Sequence, residues 1–254
     1  ELIDPLTAAP PGRIDYATRL RVKLASGSLR SASRLSLLEG ANAIAILRND
    51  GSWEACQFEI AELVDTLTYE LSGFVRGQLG TEDWQPTGIQ TASVGQPAVL
   101  IDSTLARIPV GESRIGRPLN WRFGPAGRDI GHATFAAASH TFFGLARRPL
   151  SPVHVRSQRN PAGDVALSWV RRTRIGGDNW EQSDVALSEQ SEAYEVDILN
   201  GPAVVRTIAA TQPTTDYTAA EQVTDFGAAQ SAIACRVYQI SATWGRGQPR
   251  NAVV

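Results

Sequence analysis

Residues 43–58 run Ala43-Ile44-Ala45-Ile46-Leu47-Arg48-Asn49-Asp50-Gly51-Ser52-Trp53-Glu54-Ala55-Cys56-Gln57-Phe58. Aliphatic side chains recur at every second place up to Leu47, and Asp-Gly follows, a pair that supplies the backbone of a tight hairpin turn. Beyond the turn, Cys56, Phe58 and Ile60 alternate with polar neighbours, which predicts a second strand with Cys56 on its buried face. The rhythm continues outward in both directions. Arg19-Leu20-Arg21-Val22-Lys23-Leu24 alternates charge with aliphatic, and Thr66 to Val75 alternates up to a glycine-rich stretch. Further strands are predicted at Pro97–Asp102, Leu119–Phe123 and Ala133–Ser139. The one predicted helical turn runs from Ser33 to Glu39, with Ser33 as N-cap and Gly40 as stop. The fold class is therefore all-β.

At Arg147-Arg148-Pro149-Leu150-Ser151-Pro152 the texture changes, because two prolines after two arginines suit a junction better than a strand interior. We divide the chain there: residues 1–147 form a β-barrel or β-sheet domain, and residues 148–254 carry about seven strands, the rhythm of a β-sandwich. The 254 residues are 43% hydrophobic and 20% charged, enough apolar material for packed cores. A net charge of −2 gives no bulk attraction for nucleic acid, and sequence-specific nucleic-acid binding is not expected. No run of about 18 apolar residues is present, so no membrane-spanning helix is expected. The chain starts Glu1-Leu2-Ile3-Asp4-Pro5 and contains no Met, and it reads as a piece of a longer protein.

A search for catalytic groups finds none that converge. Gly73, Gly77 and Gly80 lack the spacing and the following helix of a dinucleotide loop, and they read as a tight turn with Arg76 on its rim. The histidines are His132, His140 and His154, and no Gly-x-Ser-x-Gly elbow accompanies them, so they read as structural. Cys56 and Cys235 have no metal-ligand spacing and read as core thiols; a disulfide between the domains is the alternative. The acid pairs Glu82-Asp83 and Glu221…Asp225 read as solvated surface, and Gly176 to Glu181 has only part of a calcium loop. No catalytic residue, cofactor or metal site is expected, and the chain is not expected to be an enzyme.

The remaining signal is basic. Arg107, Arg114, Arg117, Arg122, Arg128, Arg147 and Arg148 crowd a strap over residues 106–147 and its border, opposed by Glu112 and Asp129. Such a strap is either a solvated cover or an interface whose guanidinium forks meet carboxylates or phosphates. Trp53, Trp84, Trp121, Trp180 and Trp244 lie near turns or strand ends, where aromatics beside arginine suit an interface or a core edge. The candidate interface residues are Arg114, Arg117, Arg122, Arg128, Trp121, Trp180 and Trp244.

Two resemblances add to this. Val153-His154-Val155, Asp164 to Trp169, Ala193 to Ile198 and Val237 to Pro249 resemble the strands of a fibronectin type III domain, with Trp169 as its core tryptophan. The family's corner tyrosine would fall near Cys235, so that corner is missing or rebuilt from Tyr217 or Tyr238. Ser33 to Asn42, Trp53 to Phe58, Leu71 to Glu82, Arg122 to Ala126, Pro149 to Val153 and Trp169 to Glu181, in that order, resemble the C-terminal region of the large tail-tip protein of gene transfer agents and long-tailed phages, known as baseplate hub, host-specificity protein or megatron. The resemblance implies a structural role at the virion tail tip, in a homotrimer that meets neighbouring tail or baseplate proteins and faces a host-envelope receptor or glycan. It carries over no catalytic residue. The alternative readings are a carbohydrate-binding or accessory module of a secreted glycosidase, and a surface adhesin.

Overall fold

A computed structural model describes residues 1–82, 88–177, 181 and 184–254. The first unit holds β1 (Leu6–Thr7), β2 (Ile14–Asp15), β3 (Leu20–Lys23), β4 (Ala43–Leu47), β5 (Trp53–Asp65), β6 (Thr68–Gln78), β7 (Gln90–Ala92) and β8 (Ala98–Leu100). Its sheet has the order β2-β6-β5-β4-β8, with β3 also on β6, and every pairing is antiparallel. The first residues close it. Leu2 bridges Val22 of β3, donates its N–H to Gln96 at 3.0 Å and accepts from Gly95 at 2.9 Å, while Leu47 of β4 donates to Pro97 at 3.0 Å. The sheet thus returns on itself as a barrel with no open edge along this ring.

Inward-facing residues fill the barrel: Leu2, Leu20, Val22, Ile44, Ile46, Cys56, Phe58, Leu71 and Phe74. The Asp50-Gly51 turn forms as expected, with Gly51 at φ 83° and Arg48 N–H donating to Ser52 at 2.8 Å. So does the helical turn, α1 (Arg34–Leu38), where Ser33 Oγ accepts from Ser36 N–H at 3.1 Å. The simple alternation of β5 is corrected, however. Glu54 and Gln57 are both buried, because α1 covers one face and an ion pair seals the other. The Gln57 amide donates to Leu37 and Ala41 carbonyls at 2.6 and 2.9 Å.

The glycine-rich stretch is corrected as well. Gly73 and Gly77 lie inside β6 and not in a turn, and Arg76 is only 2% exposed. Gly77 takes φ 66°, and a Cβ there would stand 2.8 Å from the Glu82 backbone. This kink turns Arg76 inward, onto Glu54.

Between the units stand β9 (Pro118–Phe123) and β10 (Ala136–Thr141), a two-stranded antiparallel ribbon. The second unit holds β11 (Val153–Arg159), β12 (Val165–Val170), β13 (Tyr194–Asn200), β14 (Ala203–Ala210), β15 (Thr214–Tyr217), α2 (Ala219–Phe226), β16 (Ala234–Ser241), β17 (Gly245–Arg246) and β18 (Arg250–Val253). One sheet is β11-β12-β15, and the other is β14-β13-β16 with β17 and β18 on β16. This packing of a three-stranded sheet on a five-stranded one, the fifth being the two-residue β17, is a fibronectin type III-like sandwich. Trp169 is buried at its centre with its ring edge-on to Tyr194, centroids 5.2 Å apart.

No tyrosine stands at the family's corner position near Cys235, and Tyr217, at the end of β15, is tied to α2. Its hydroxyl donates to Asp225 Oδ2 at 2.9 Å, and Arg206 forks onto the same carboxylate at 2.6 and 3.0 Å. Tyr238 instead lies under the Arg246 guanidinium, 4.5 Å from ring centre to carbon. Glu221 and Asp225, expected as solvated surface, sit on α2 and hold Arg206, Asp225 with an 8% exposed side chain. The helix starts in a Thr218–Glu221 capping box and ends at Gly227.

Candidate interaction ribbon

The core of the first unit draws on residues up to Leu100, and that of the second begins at Val155. The segment between contributes no buried hydrophobic residue to either. Its sequence explains why a ribbon forms there: Leu119, Trp121 and Phe123 alternate with Asn120 and Arg122, opposite a run of small residues. In register, Phe123 faces Ala136, Arg122 faces Ala137, Trp121 faces Ala138 and Leu119 faces His140. The two faces therefore differ. Leu119, Trp121, Phe123 and His140 share one, while Asn120, Arg122, Ser139 and Thr141 share the other.

An aromatic row runs along the first face. Trp121 stacks on Phe123 at 6.5 Å and meets Phe142 edge-on at 6.2 Å, and His140 meets Phe142 at 4.6 Å. Trp121 is half-buried and Phe123 is 51% exposed. Arg122 is exposed on the opposite face, Arg117 just before β9, Arg114 at the end of a short 3₁₀ turn, and Arg128 in the loop joining the strands. The acid closest to Arg128 in sequence, Asp129, is engaged by Gly131 N–H at 2.7 Å. Trp121, Arg122 and Arg128 thus belong to one ribbon, with Trp121 and Arg122 on opposite sides of it, and Arg114 and Arg117 lie on the segment leading into it.

Trp244 is elsewhere. It lies in the β16–β17 turn, half-buried beneath the Arg147 guanidinium at 5.5 Å, and Arg147 also pairs with Glu112 at 2.7 Å. These contacts tie the foot of the ribbon to the sandwich. Trp180, like Trp84 and Asp83, lies outside the described residues. An apolar groove of about 570 Å³ opens beside the foot, between Trp53 on the barrel and Ile115, Phe142 and Leu145.

Sequence reasoning missed the clamp between the two cores. Glu82, read as solvated, has a 7% exposed side chain that accepts from Arg172 Nη2 and, at 2.8 Å, from Ser151 Oγ. Arg172 Nε also donates to Ser151 O at 2.8 Å, and the Gln248 amide reaches Gly80 O. The readable signal was the cluster of polar residues flanking Pro149 and Pro152, but pairing across about 90 residues leaves no trace in periodicity.

Of the other candidates, His132 Nδ1 shares a hydrogen bond with Thr134 Oγ1 at 2.9 Å, and His154 takes φ 53° at a bulge in β11. Cys56 and Cys235 are free thiols and buried. Burial pushes both up, Cys235 to about 11, so neither is a ready nucleophile. Among the described residues, no three His, Cys, Asp or Glu side chains group as a metal site would.

The fold and ribbon define a class: a β-barrel joined to a fibronectin type III-like sandwich, with an exposed ribbon between them. Residues 1–99 match the model of the family described as Rcc01698-like, C-terminal. No curated protein matches. Among solved structures, the chain is similar to domains d3–d4 of the rat CD45 extracellular region (10% identity, 77% of this chain and 93% of that one, TM-score 0.31). It is also similar to a myokine structure (16% identity, 42% and 95%, TM-score 0.28) and to the FN1–FN3 domains of chicken CNTN1 (11% identity, 99% and 68%, TM-score 0.29). At these scores the sandwich is defined by its own strand order.

Proposed function

We propose that this chain is a non-catalytic structural component of a phage-like tail tip or baseplate, the distal hub of a gene transfer agent or long-tailed phage. The reading is carried by an agreement in kind. Signatures from Ser33 to Glu181 resemble the C-terminal region of a tail-tip hub, and the family model matched over residues 1–99 also describes a C-terminal region. The exposed ribbon supports it, since aromatic rings and arginines held outside both cores suit contact with another protein. In this reading the barrel packs near the hub, sister copies form a homotrimer, and neighbouring tail proteins meet the ribbon. The sandwich lies outward, toward a host-envelope receptor or glycan.

Immunogold electron microscopy of purified particles, with an antibody raised against this chain, tests the proposal. Gold confined to the tail tip is the expected result. Label absent from particles and recovered in the culture medium overturns it in favour of a secreted module, for which soluble-glycan binding is the next assay.

A further inference from the structure

The fold guards its open strand edges, with one exception among the described residues. The barrel closes on itself. Of the sandwich edges, β11 carries Arg156, Arg159 and a bulge, β14 carries Arg206 beneath α2, and β18 carries Arg250. β15 is cut to four residues where α2 begins. In the ribbon, β9 starts with Pro118 and carries Arg122. Proline, charge, bulges and short length are the devices that keep an edge from pairing with foreign strands. β10, Ala136-Ala137-Ala138-Ser139-His140-Thr141, has none of these. It is exposed from Ala136 to His140 and pairs only with β9. A two-stranded ribbon is marginally stable in water, and a third strand is what such a structure lacks.

The side chains beside β10 specify that strand. Phe123, Arg122 and Trp121 of β9 each face an alanine, so over these three positions no large β10 side chain obstructs reach across it; only Leu119 is covered, by His140. A strand added to β10 runs about 10 Å from β9, two strand spacings away. Its residue on the Arg122 face, looking across Ala137, meets a guanidinium that pairs with no carboxylate among the described residues. Its neighbours on the other face, across Ala136 and Ala138, meet Phe123 and Trp121. We propose that β10 accepts a strand from a partner protein, an extended segment of apolar–acidic–apolar pattern. Pairing adds main-chain hydrogen bonds, and the three β9 side chains select the sequence. A second copy of this chain fits poorly, because its edges β9, β11, β14 and β18 carry arginine and its β10, Ala136 to Thr141, has no carboxylate to meet Arg122.

The proposal deepens the assembly reading by giving the chemistry of a neighbour. Its test uses the chain in solution, so failure here is distinct from failure of the particle labelling. The probe is a labelled nine-residue peptide alternating valine with glutamate, and the control alternates valine with lysine. Fluorescence anisotropy is expected to show saturable binding of the glutamate peptide, at least about tenfold tighter than the lysine peptide. Arg122→Glu is expected to reverse that order, with circular dichroism confirming the fold. Methylating the amides along one edge of the glutamate peptide is expected to abolish binding. Equal binding of both peptides, or a preference unchanged by Arg122→Glu, overturns the proposal. So does self-association of the chain in sedimentation that Ala137→Glu removes, since the occupant is then a second copy.

Discussion

Arg76 and Glu54 meet inside the barrel as a two-pronged ion pair, with Nε 2.7 Å from Oε1 and Nη2 2.8 Å from Oε2. Arg48 stands 3.3 Å from the same carboxylate, and Arg76 also donates to Thr7 O at 3.0 Å. Both members of the pair are about 2% exposed. Removing one partner strands a buried charge, which is far worse than removing both. Glu54→Gln is expected to cost about 3–5 kcal/mol in urea unfolding, and Glu54→Gln with Arg76→Met to recover part of that loss. Equal losses in the single and double variants would contradict the pairing.

Acid should weaken both units. Burial alone raises the Glu54 carboxyl, but Arg76 and Arg48 outweigh it and hold the group below its usual range. Asp197 is likewise raised by burial and brought down further by the Arg246 fork, and Asp225 is lowered first by Arg206. A carboxylate with a depressed folded-state pKa contributes its stability above the unfolded value, and loses it as pH falls toward the folded one. Melting temperature is therefore expected to be insensitive to these groups near neutrality and to fall below about pH 4. A melting temperature that rises on acidification through that range would be inconsistent with these pairs.

The clamp at Glu82 predicts a mechanical phenotype. Arg172→Ala removes the guanidinium that joins Glu82 of the barrel side to Ser151 of the sandwich side. Trypsin is expected to cut faster at Arg147-Arg148, and calorimetry to resolve two transitions where the parent chain melts more cooperatively. Gly80→Ala is expected to act similarly, because its Cβ would stand 2.3 Å from Leu145 O. Unchanged cleavage in both variants would mean that the clamp does not couple the units.

The sandwich should depend on its tryptophan more than on Tyr217. Trp169→Ala opens a cavity against Tyr194 and is expected to cost about 3–5 kcal/mol. Tyr217→Phe removes one hydrogen bond to Asp225, which keeps its fork from Arg206, and about 1 kcal/mol is expected. Denaturant midpoints order the two variants, and the reverse order would displace Trp169 from the centre of the core.

Local patterns were legible and distant pairings were not. The strand Ala43–Leu47, the Asp50-Gly51 turn and the Ser33 cap follow from neighbours a few residues apart, and each stands where its pattern puts it. Arg76 was misread because positive-φ glycines signal a turn as readily as a kink within a strand, and only the fold brings Glu54 to meet it. Glu82 was misread for the same reason, its partner being Arg172. In the ribbon the basic charge was visible, whereas the aromatic row needs Phe142 and His140 brought beside Trp121 by pairing. The α2 helix was missed although Thr218 and Glu221 spell its capping box, because eight residues are too few for periodicity to assert itself.

The barrel seam also sets an order of events as the chain folds. Leu2 must find Val22 on one side and Gln96 on the other, so the ring closes only once contacts spanning almost its whole sequence have formed, and such non-local contacts are slow. The ribbon needs only residues close to one another in the chain, and hairpins of that kind form in about 1–10 microseconds. The register of β10 is therefore set by local contacts, independently of the seam that closes the barrel.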